Sequence, residues 1–193
     1  MKKICILGLV ILLSSLAGVA LAHENHPEAQ ASGPASIYGD QLGTVILPFS
    51  CNETASKSAE RGLALLHHMT YVGARAAFTE TVETDPDSAI GYWGQSMSFI
   101  HPLWSDPPDE AEFARGKALA SEAAKRARNE QERAYIATLK SYYSQERNIS
   151  EKVNLAAYAE AWRKVYEQFP KDIEAASFYA LKFTFSLIFR SWE

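Results

Sequence analysis

Cysteine is scarce in this chain of 193 residues, which contains only Cys5 and Cys51. Because Cys5 lies in an apolar N-terminal segment that we expect to be removed, Cys51 is left without an internal partner. A fold stabilised by internal disulfides is therefore excluded for the mature chain. We interpret Cys51 as a buried and unreactive thiol.

An excess of basic charge is also missing, because 19 Lys and Arg residues face 23 Asp and Glu residues and leave a formal net charge of −4. Such a chain has no bulk attraction for nucleic acid or anionic lipid. It also has no Gly-rich phosphate loop, no Gly-x-Ser-x-Gly elbow, no His-Glu-x-x-His and no Cys-x-x-Cys-His haem site. These absences predict a non-catalytic protein without a cofactor and without a nucleic-acid partner.

The first 22 residues have the pattern of an export signal. Lys2 and Lys3 supply a positive start, residues 4–19 carry no charge, and Ala20 and Ala22 offer the small-x-small pattern that a signal peptidase accepts. Polar sequence then follows an apolar run that is too short for a comfortable membrane span. We predict cleavage after Ala22, a periplasmic or secreted location, and no stable membrane insertion of the mature chain. An uncleaved N-terminal anchor is the alternative.

Glycine and proline divide the rest of the chain into a leader and a domain. They interrupt residues 23–48 repeatedly and no hydrophobic period emerges there, which predicts a flexible leader. From Ala55 onwards they become rare and cluster between apolar-periodic segments, which predicts helices, and we assign an all-α domain to residues 49–193. The predicted helices lie near residues 55–70, 72–84, 88–100, 109–128, 130–145, 150–168 and 172–190, with no competing strand-like alternation.

A small residue followed three positions later by a large apolar one recurs along this domain, and its first two copies are 34 residues apart. The small residue lets two helices approach closely, the large one fills the groove beside it, and a proline ends the hairpin. The positions that carry the pattern are Gly62, Leu65, Ala74, Phe78, Pro86, Ser96, Phe99, Trp162, Pro170, Ala180 and Phe183. Their spacing is that of the tetratricopeptide repeat (TPR), whose hairpins stack because none can bury its apolar face alone.

We therefore predict an α-solenoid of antiparallel helical hairpins, a TPR-like superhelix. The units lie near residues 55–88, 89–128 and 130–171, followed by the first helix of a fourth. The third unit is the weakest, because Tyr158 stands where a small residue would be usual.

Several short motifs also resemble those of a known family. They are Phe49-Ser-Cys51, Arg61-Gly-Leu-Ala-Leu-Leu-His67, Asp85-Pro86, Tyr92-Trp93-Gly94, His101-Pro-Leu-Trp104, Glu132-Arg-Ala-Tyr-Ile136 and Glu174-Ala-Ala-Ser-Phe-Tyr-Ala-Leu181. Together, over about residues 49–185, they resemble an uncharacterised group of bacterial exported TPR proteins with no established activity. The resemblance implies the fold and little else. Members of that group usually look longer, with more repeats after this point.

The last predicted helix, within residues 173–192, is apolar almost all round and lacks the partner that would complete a fourth hairpin. A terminal repeat is expected to present a polar outer face instead. Three interpretations stay open. The chain is a fragment of a longer repeat protein, the helix closes a homodimer, or the helix lies in a membrane, against which Glu174 and Lys182 argue.

His67 and His101 are also 34 residues apart, so they occupy equivalent places near the ends of successive first helices. In a TPR superhelix these helices line the concave face where partners bind, and we expect Trp93, Met97 and Trp104 to lie nearby. We predict that this groove binds a protein or peptide. Trp93 and Met97 would be the apolar anchors, and the two histidines the polar contacts.

The alternative is a periplasmic metal- or small-ligand-binding protein that uses the same histidines. Adjacent helices lie about 8–10 Å apart, so His67, His68 and His101 are candidates to share an ion. His23, as the mature N-terminus, is a candidate to chelate copper(II) through nitrogen. No carboxylate or cysteine completes a tetrahedral set at a convincing spacing, and packing roles at helix ends compete with a metal role.

Overall fold

The computed structural model describes residues 42–104, 106–144 and 150–190, with side chains as far as Leu181. Over these residues the chain forms seven α-helices and no strand, which confirms the predicted all-α class. The helices are α1 (Glu53–His67), α2 (Tyr71–Thr84), α3 (Ala89–Met97), α4 (Glu110–Arg126), α5 (Glu130–Tyr143), α6 (Glu151–Gln168) and α7 (Ile173–Arg190). The signal segment lies outside the described residues, so cleavage after Ala22 stays a prediction.

Side-chain caps mark the starts of several of these helices, α1 and α4 among them. Asn52 precedes α1, and its side-chain oxygen accepts a hydrogen bond from the Ala55 N–H at 2.8 Å. Ahead of α4, Asp109 accepts from the Glu112 N–H at 2.8 Å, and the Glu112 side chain accepts from the Asp109 N–H at 3.1 Å. Because first-turn N–H groups have no partner inside the helix, each cap removes unsatisfied donors.

Helix α3 ends at Met97, earlier than the predicted end at residue 100. The Phe99 N–H donates to the Ser96 oxygen at 3.3 Å, so the chain leaves the helix through a tighter turn. Pro102 follows, and a proline disfavours helical geometry in the residue before it. Phe99 is buried all the same, and the Arg75 guanidinium carbon lies 4.4 Å from the centre of its ring.

Consecutive helices pack side by side. Between α1 and α2, Ser58 Oγ lies 2.9 Å from Thr81 Oγ1, and the Phe78 ring lies against Gly62. From Ser58 to Gly62 the contacts advance along α1 while they move back along α2 from Thr81 to Phe78, which requires the two helices to run in opposite directions. Contacts also skip one helix, since α1 touches α3 and α3 touches α5.

Glycines permit the closest approaches between helices. A Cβ atom at Gly94 of α3 would lie 2.3 Å from the Phe78 ring, and one at Gly62 of α1 would lie 2.9 Å from the same ring. At Gly116 of α4, a Cβ would lie 2.1 Å from the Tyr143 hydroxyl oxygen. The Phe78 ring therefore occupies a slot that exists because both flanking helices lack a side chain there.

Most of the repeat positions lie in the core. The buried ones are Gly62, Leu65, Ala74, Phe78, Ser96, Phe99 and Trp162. The Ser96 hydroxyl donates to the Gly116 oxygen at 2.8 Å, so this small residue joins α3 to α4. Pro86 and Pro170 are exposed in the connections between helices, and Ala180 is exposed on α7. The side chain of Phe183 lies outside the described residues.

Aromatic side chains fill the middle of the helical array. Trp93 of α3 and Trp162 of α6 are fully buried. Phe178 of α7 touches both, with ring centroids 6.0 Å from Trp93 and 4.6 Å from Trp162. Tyr135 of α5 lies 5.8 Å from Trp93 and 4.9 Å from Trp162. Ring pairs of this kind contribute beyond simple burial, and here they link α3, α5, α6 and α7 in one cluster.

Helix α7 has an exposed apolar start. Ile173 is 64% exposed, and Ser177 and Ala180 follow it on the same face and are also exposed. Within the described residues, no helix is long and apolar enough to cross a membrane. A homodimer through residues 173–192 stays a prediction.

Candidate functional site

A non-helical segment ahead of α1 lies across the helical array, and we name residues 42–52 the strap. The strap contains the last residues of the predicted leader (23–48), and its partly buried apolar side chains pack on the core. Its first residue, Leu42, accepts a hydrogen bond from His68 Nε2 at 3.2 Å, just after the end of α1. Its last residue, Asn52, caps the start of α1, so the strap runs back along this helix.

Three buried carboxylates hold the main chain of the strap. The hydrogen-bonded pairs, with their N–O distances, are Ile46 to Glu174 (2.9 Å), Ser50 to Glu132 (2.9 Å) and Asn52 to Asp85 (2.7 Å). These three are the buried acidic side chains of the described part of the chain, and Glu132 is only 1% exposed. A buried carboxylate is costly unless hydrogen bonds satisfy it, and the strap N–H groups supply such bonds.

Phe49 is the side chain that anchors the strap. Its buried ring lies 5.2 Å from Trp93 and 5.6 Å from Tyr135, measured between ring centroids. The Ser88 hydroxyl also donates to the Ser50 oxygen at 2.8 Å. The strap is thus held by main-chain hydrogen bonds, by the Phe49 ring and by partly buried apolar side chains that pack on the core.

A small cavity of about 50 Å³ opens between the ends of α1 and α3 and the side of α7. Its lining includes Leu66, His67, Tyr71, Met97, Tyr158 and Phe178. The lining is mainly apolar, with imidazole and hydroxyl groups among the carbon atoms, which is the usual composition of a binding pocket. The cavity is large enough for a few water molecules or the tip of one apolar side chain.

His67 connects this cavity to the strap. Its Nε2 lies 2.5 Å from one oxygen of Glu174, whose other oxygen accepts the N–H of Ile46. The imidazole stacks on Phe178, with 4.8 Å between ring centroids. His67 therefore positions the Glu174 carboxylate and also lines the cavity, so His67 and Glu174 together connect the cavity to the strap.

Tyr71, His101 and Trp104 form a second group at the edge of the cavity. The His101 ring stacks on Tyr71 at 4.2 Å, and its Nδ1 lies 3.2 Å from Asp106 Oδ2. Burial raises the pKa of Tyr71 to about 12, although the neighbouring Trp104 indole acts in the opposite direction. Tyr71 is therefore a neutral hydroxyl at physiological pH, next to a tryptophan that is 56% exposed.

Trp93 and Met97, which we expected to be apolar anchors of a groove, both lie inside the protein. Trp93 is fully buried beneath Phe49 and offers no free surface in the described structure. Met97 lines the cavity from below, where the Tyr158 hydroxyl donates to its sulfur at 3.1 Å. Tyr158, for which the predicted repeat pattern would expect a small residue, is a buried ring that lines the cavity.

The histidines have separate partners. His67 contacts Glu174, while His101 contacts Asp106 and the Ser98 oxygen. Across the part of the chain that the structure describes, no three His, Cys, Asp or Glu side chains come together in a way that would hold a metal ion. The predicted copper ligand His23 lies outside this part.

Cys51 is half-buried near the end of the strap. Burial raises the pKa of its thiol, and the negative charges of Asp85 and Glu60 act in the same direction, against a smaller opposing effect of Arg128. The thiol is therefore protonated at neutral pH and reacts slowly with thiol reagents.

Sequence reasoning did not assign a site role to Glu132, Glu174 or Tyr71. Both glutamates lie in the first turn of a helix, where an acidic residue is ordinary because it complements the helix dipole. No local pattern distinguishes these two from exposed first-turn glutamates such as Glu110. Their role depends on the strap, which is distant in sequence.

Comparison with known proteins gave no match: no protein-family model, no curated protein and no solved structure is significantly similar to this chain.

Proposed function

We propose that this protein is an exported, non-catalytic TPR-like scaffold that binds an extended peptide segment of a protein partner. Stacked hairpins in a repeat protein bring each helix against its neighbour and against the helix after that. The contacts of α1 with α3 and of α3 with α5 support such an arrangement, as does the 34-residue spacing of the small and large apolar residues.

One observation carries the proposal: the helices already hold a non-helical segment of their own chain through main-chain N–H groups and an anchoring aromatic ring. Next to that segment, the cavity and the exposed Trp104 offer an apolar depression and an aromatic edge. A partner peptide would insert an apolar side chain into the cavity and pack against Trp104. Tryptophan is among the residues that dominate binding energy at interfaces.

The test is selection of peptides from a random display library on the immobilised full chain, followed by affinity measurements in solution. We expect selected peptides to contain an apolar residue in a short extended motif. Replacing Trp104 by Ala should weaken their binding by roughly thirtyfold or more, the loss typical of an interface hot spot of about 2 kcal/mol.

Val153→Ala is the matched control, because Val153 is also an exposed apolar residue and does not line the cavity. Binding to this variant should stay within about twofold of the unmodified protein. If the library yields no binder, or if Trp104→Ala and Val153→Ala bind the selected peptides equally well, the proposed site is wrong.

A further inference from the structure

The strap lies in a groove of its own beside the cavity, since no strap residue lines the cavity and Glu174 joins Ile46 of the strap to His67 of the cavity wall. We propose that residues 42–50 are a tethered competitor, which occupies this strap groove until a partner peptide with an aromatic residue at the Phe49 position displaces it. This inference rests on the proposed function. It adds the chemistry of a longer partner, which would fill the cavity and continue into the strap groove, and a device that controls access to that groove.

Glu132 and Glu174 determine what can replace the strap. Both carboxylates are buried, and each accepts a main-chain N–H of the strap. When the strap leaves, each loses a donor, which costs free energy in a buried position. The N–H groups belong to Ile46 and Ser50, on either side of a bend at residues 48–49, so a competitor needs free main-chain N–H groups at both positions. An apolar ligand has no such donors.

The strap can leave without unfolding the helices. Residues 42–50 precede the Asn52 cap of α1 and belong to no helix, and the Ile46 side chain is 61% exposed. Both carboxylates also keep other partners in its absence. Glu174 remains bonded to His67, and Glu132 accepts from the Arg128 N–H at 2.5 Å.

Phe49 provides the selectivity. Its ring meets Tyr135 edge-on, at an interplanar angle of 84°, and lies tilted over Trp93 at 38°. An edge-to-face pair such as Phe49 with Tyr135 contributes beyond simple burial, and both ring contacts are lost when Phe49 is replaced by alanine. A competitor with alanine at this position should therefore fail to displace the strap.

Because the strap is part of the same chain, an external peptide competes with a high local concentration of the strap. A segment joined directly to α1 is present at an effective concentration in the millimolar range. If the strap occupies the groove about 99% of the time, the apparent affinity of an external peptide is about a hundredfold lower than its intrinsic affinity. Weakening the strap should therefore strengthen peptide binding.

Cys51 allows the exchange to be measured. In a Cys5→Ser background it is the one thiol of the chain, and it lies half-buried next to the strap residues that would move. The probe is a synthetic peptide with the sequence of residues 42–50, and the control is the same peptide with alanine in place of Phe49. The rate of Cys51 modification by a maleimide is followed in the full chain as peptide is added.

We expect the probe peptide to increase the Cys51 modification rate about tenfold at saturation and the alanine peptide to leave it unchanged. The inference is overturned if the probe has no effect up to millimolar concentration, or if both peptides act alike.

Phe49→Leu in the protein supplies a second measurement, because leucine keeps an apolar anchor but removes the ring contacts. In this variant the labelled probe should bind at least tenfold more tightly than in the unmodified chain, with circular dichroism confirming that the helices are intact. Equal affinity for the two proteins would contradict competition by the strap.

The outcomes separate this inference from the proposed function. Library peptides that bind through Trp104 without changing the Cys51 rate would leave the proposed function in place and overturn the tethered competitor. Conversely, a probe-dependent rise in the Cys51 rate, with no Trp104-dependent binder, would support the competitor and reject the cavity as the partner site.

Discussion

Replacing glycine by alanine should change the free energy of unfolding in opposite directions at two positions of this protein. The sign of the change depends on which atoms the added Cβ would contact. Gly94 lies on α3, where its Cβ would be 2.3 Å from the Phe78 ring. Gly73 lies on α2, where the nearest atom, a methyl carbon of Thr70, would be 3.4 Å away. Both residues are helical, so alanine gains similar intrinsic helix propensity at each.

The magnitudes follow from two competing terms. Alanine is favoured over glycine inside a helix by about 1 kcal/mol. At Gly94 the ring cannot move aside, because Phe78 is fully buried and its other face lies against Gly62. Overpacking of a dense core costs about 1–3 kcal/mol, and a separation of 2.3 Å is far inside normal contact. Gly94→Ala should therefore lower the free energy of unfolding by about 2 kcal/mol, whereas Gly73→Ala should raise it by up to about 1 kcal/mol.

Urea unfolding followed by circular dichroism at 222 nm measures both changes in the same assay. The melting temperature of Gly94→Ala should also fall, by roughly 2–4 °C per kcal/mol for a domain of this size. If Gly94→Ala proves as stable as the unmodified chain, the close approach of α2 and α3 around Phe78 is refuted. If Gly73→Ala lowers the free energy of unfolding as much as Gly94→Ala does, the space around Gly73 is no more open than that around Gly94.

Two further predictions concern the site. Glu132→Ala should lower the free energy of unfolding by at least about 3 kcal/mol, because it removes the acceptor of three hydrogen-bond donors. The control is Glu130→Ala, at an exposed neighbour in the same turn, which should change the free energy of unfolding by about 1 kcal/mol or less. Denaturant titrations of both variants check this, and equal losses would contradict it. Tyr71 ionises near pH 10 when unfolded and near pH 12 when folded, so its contribution to stability is complete below pH 10 and is lost as the pH rises to 12. Between pH 10 and 12 the free energy of unfolding should fall less steeply in Tyr71→Phe than in the unmodified chain. Equal slopes in the two proteins would refute the raised pKa of Tyr71.

The helices could be predicted because their signals are local. Asp109 and Asn129 cap the helices that follow them, and the proline at position 86 marks the break between α2 and α3. The antiparallel pairing of α1 and α2 follows from the short connection between them. The end of α3 was predicted too late, because turns that bury Phe99 outside the helix preserve the apolar periodicity.

The candidate site was predicted only in part. His67 and Met97 do line one cavity, and Trp104 is exposed near it, but Trp93 is enclosed by rings from elements far apart in the chain. Periodicity identifies which residues face the interior of the array. It does not distinguish a surface that a partner can reach from one that the chain itself covers.

The sequence by itself determined the number and order of the helices and the small residues at which they meet, because capping, periodicity and residue volume act between near neighbours. Tertiary structure alone decided that the strap lies across the array. Its hydrogen bonds join Ile46 to Glu174 and Ser50 to Glu132, pairs separated by 128 and 82 residues. Carboxylates that are ordinary at helix starts became buried acceptors only when the folded helices brought the strap to them, since no local pattern encodes a contact over such distances.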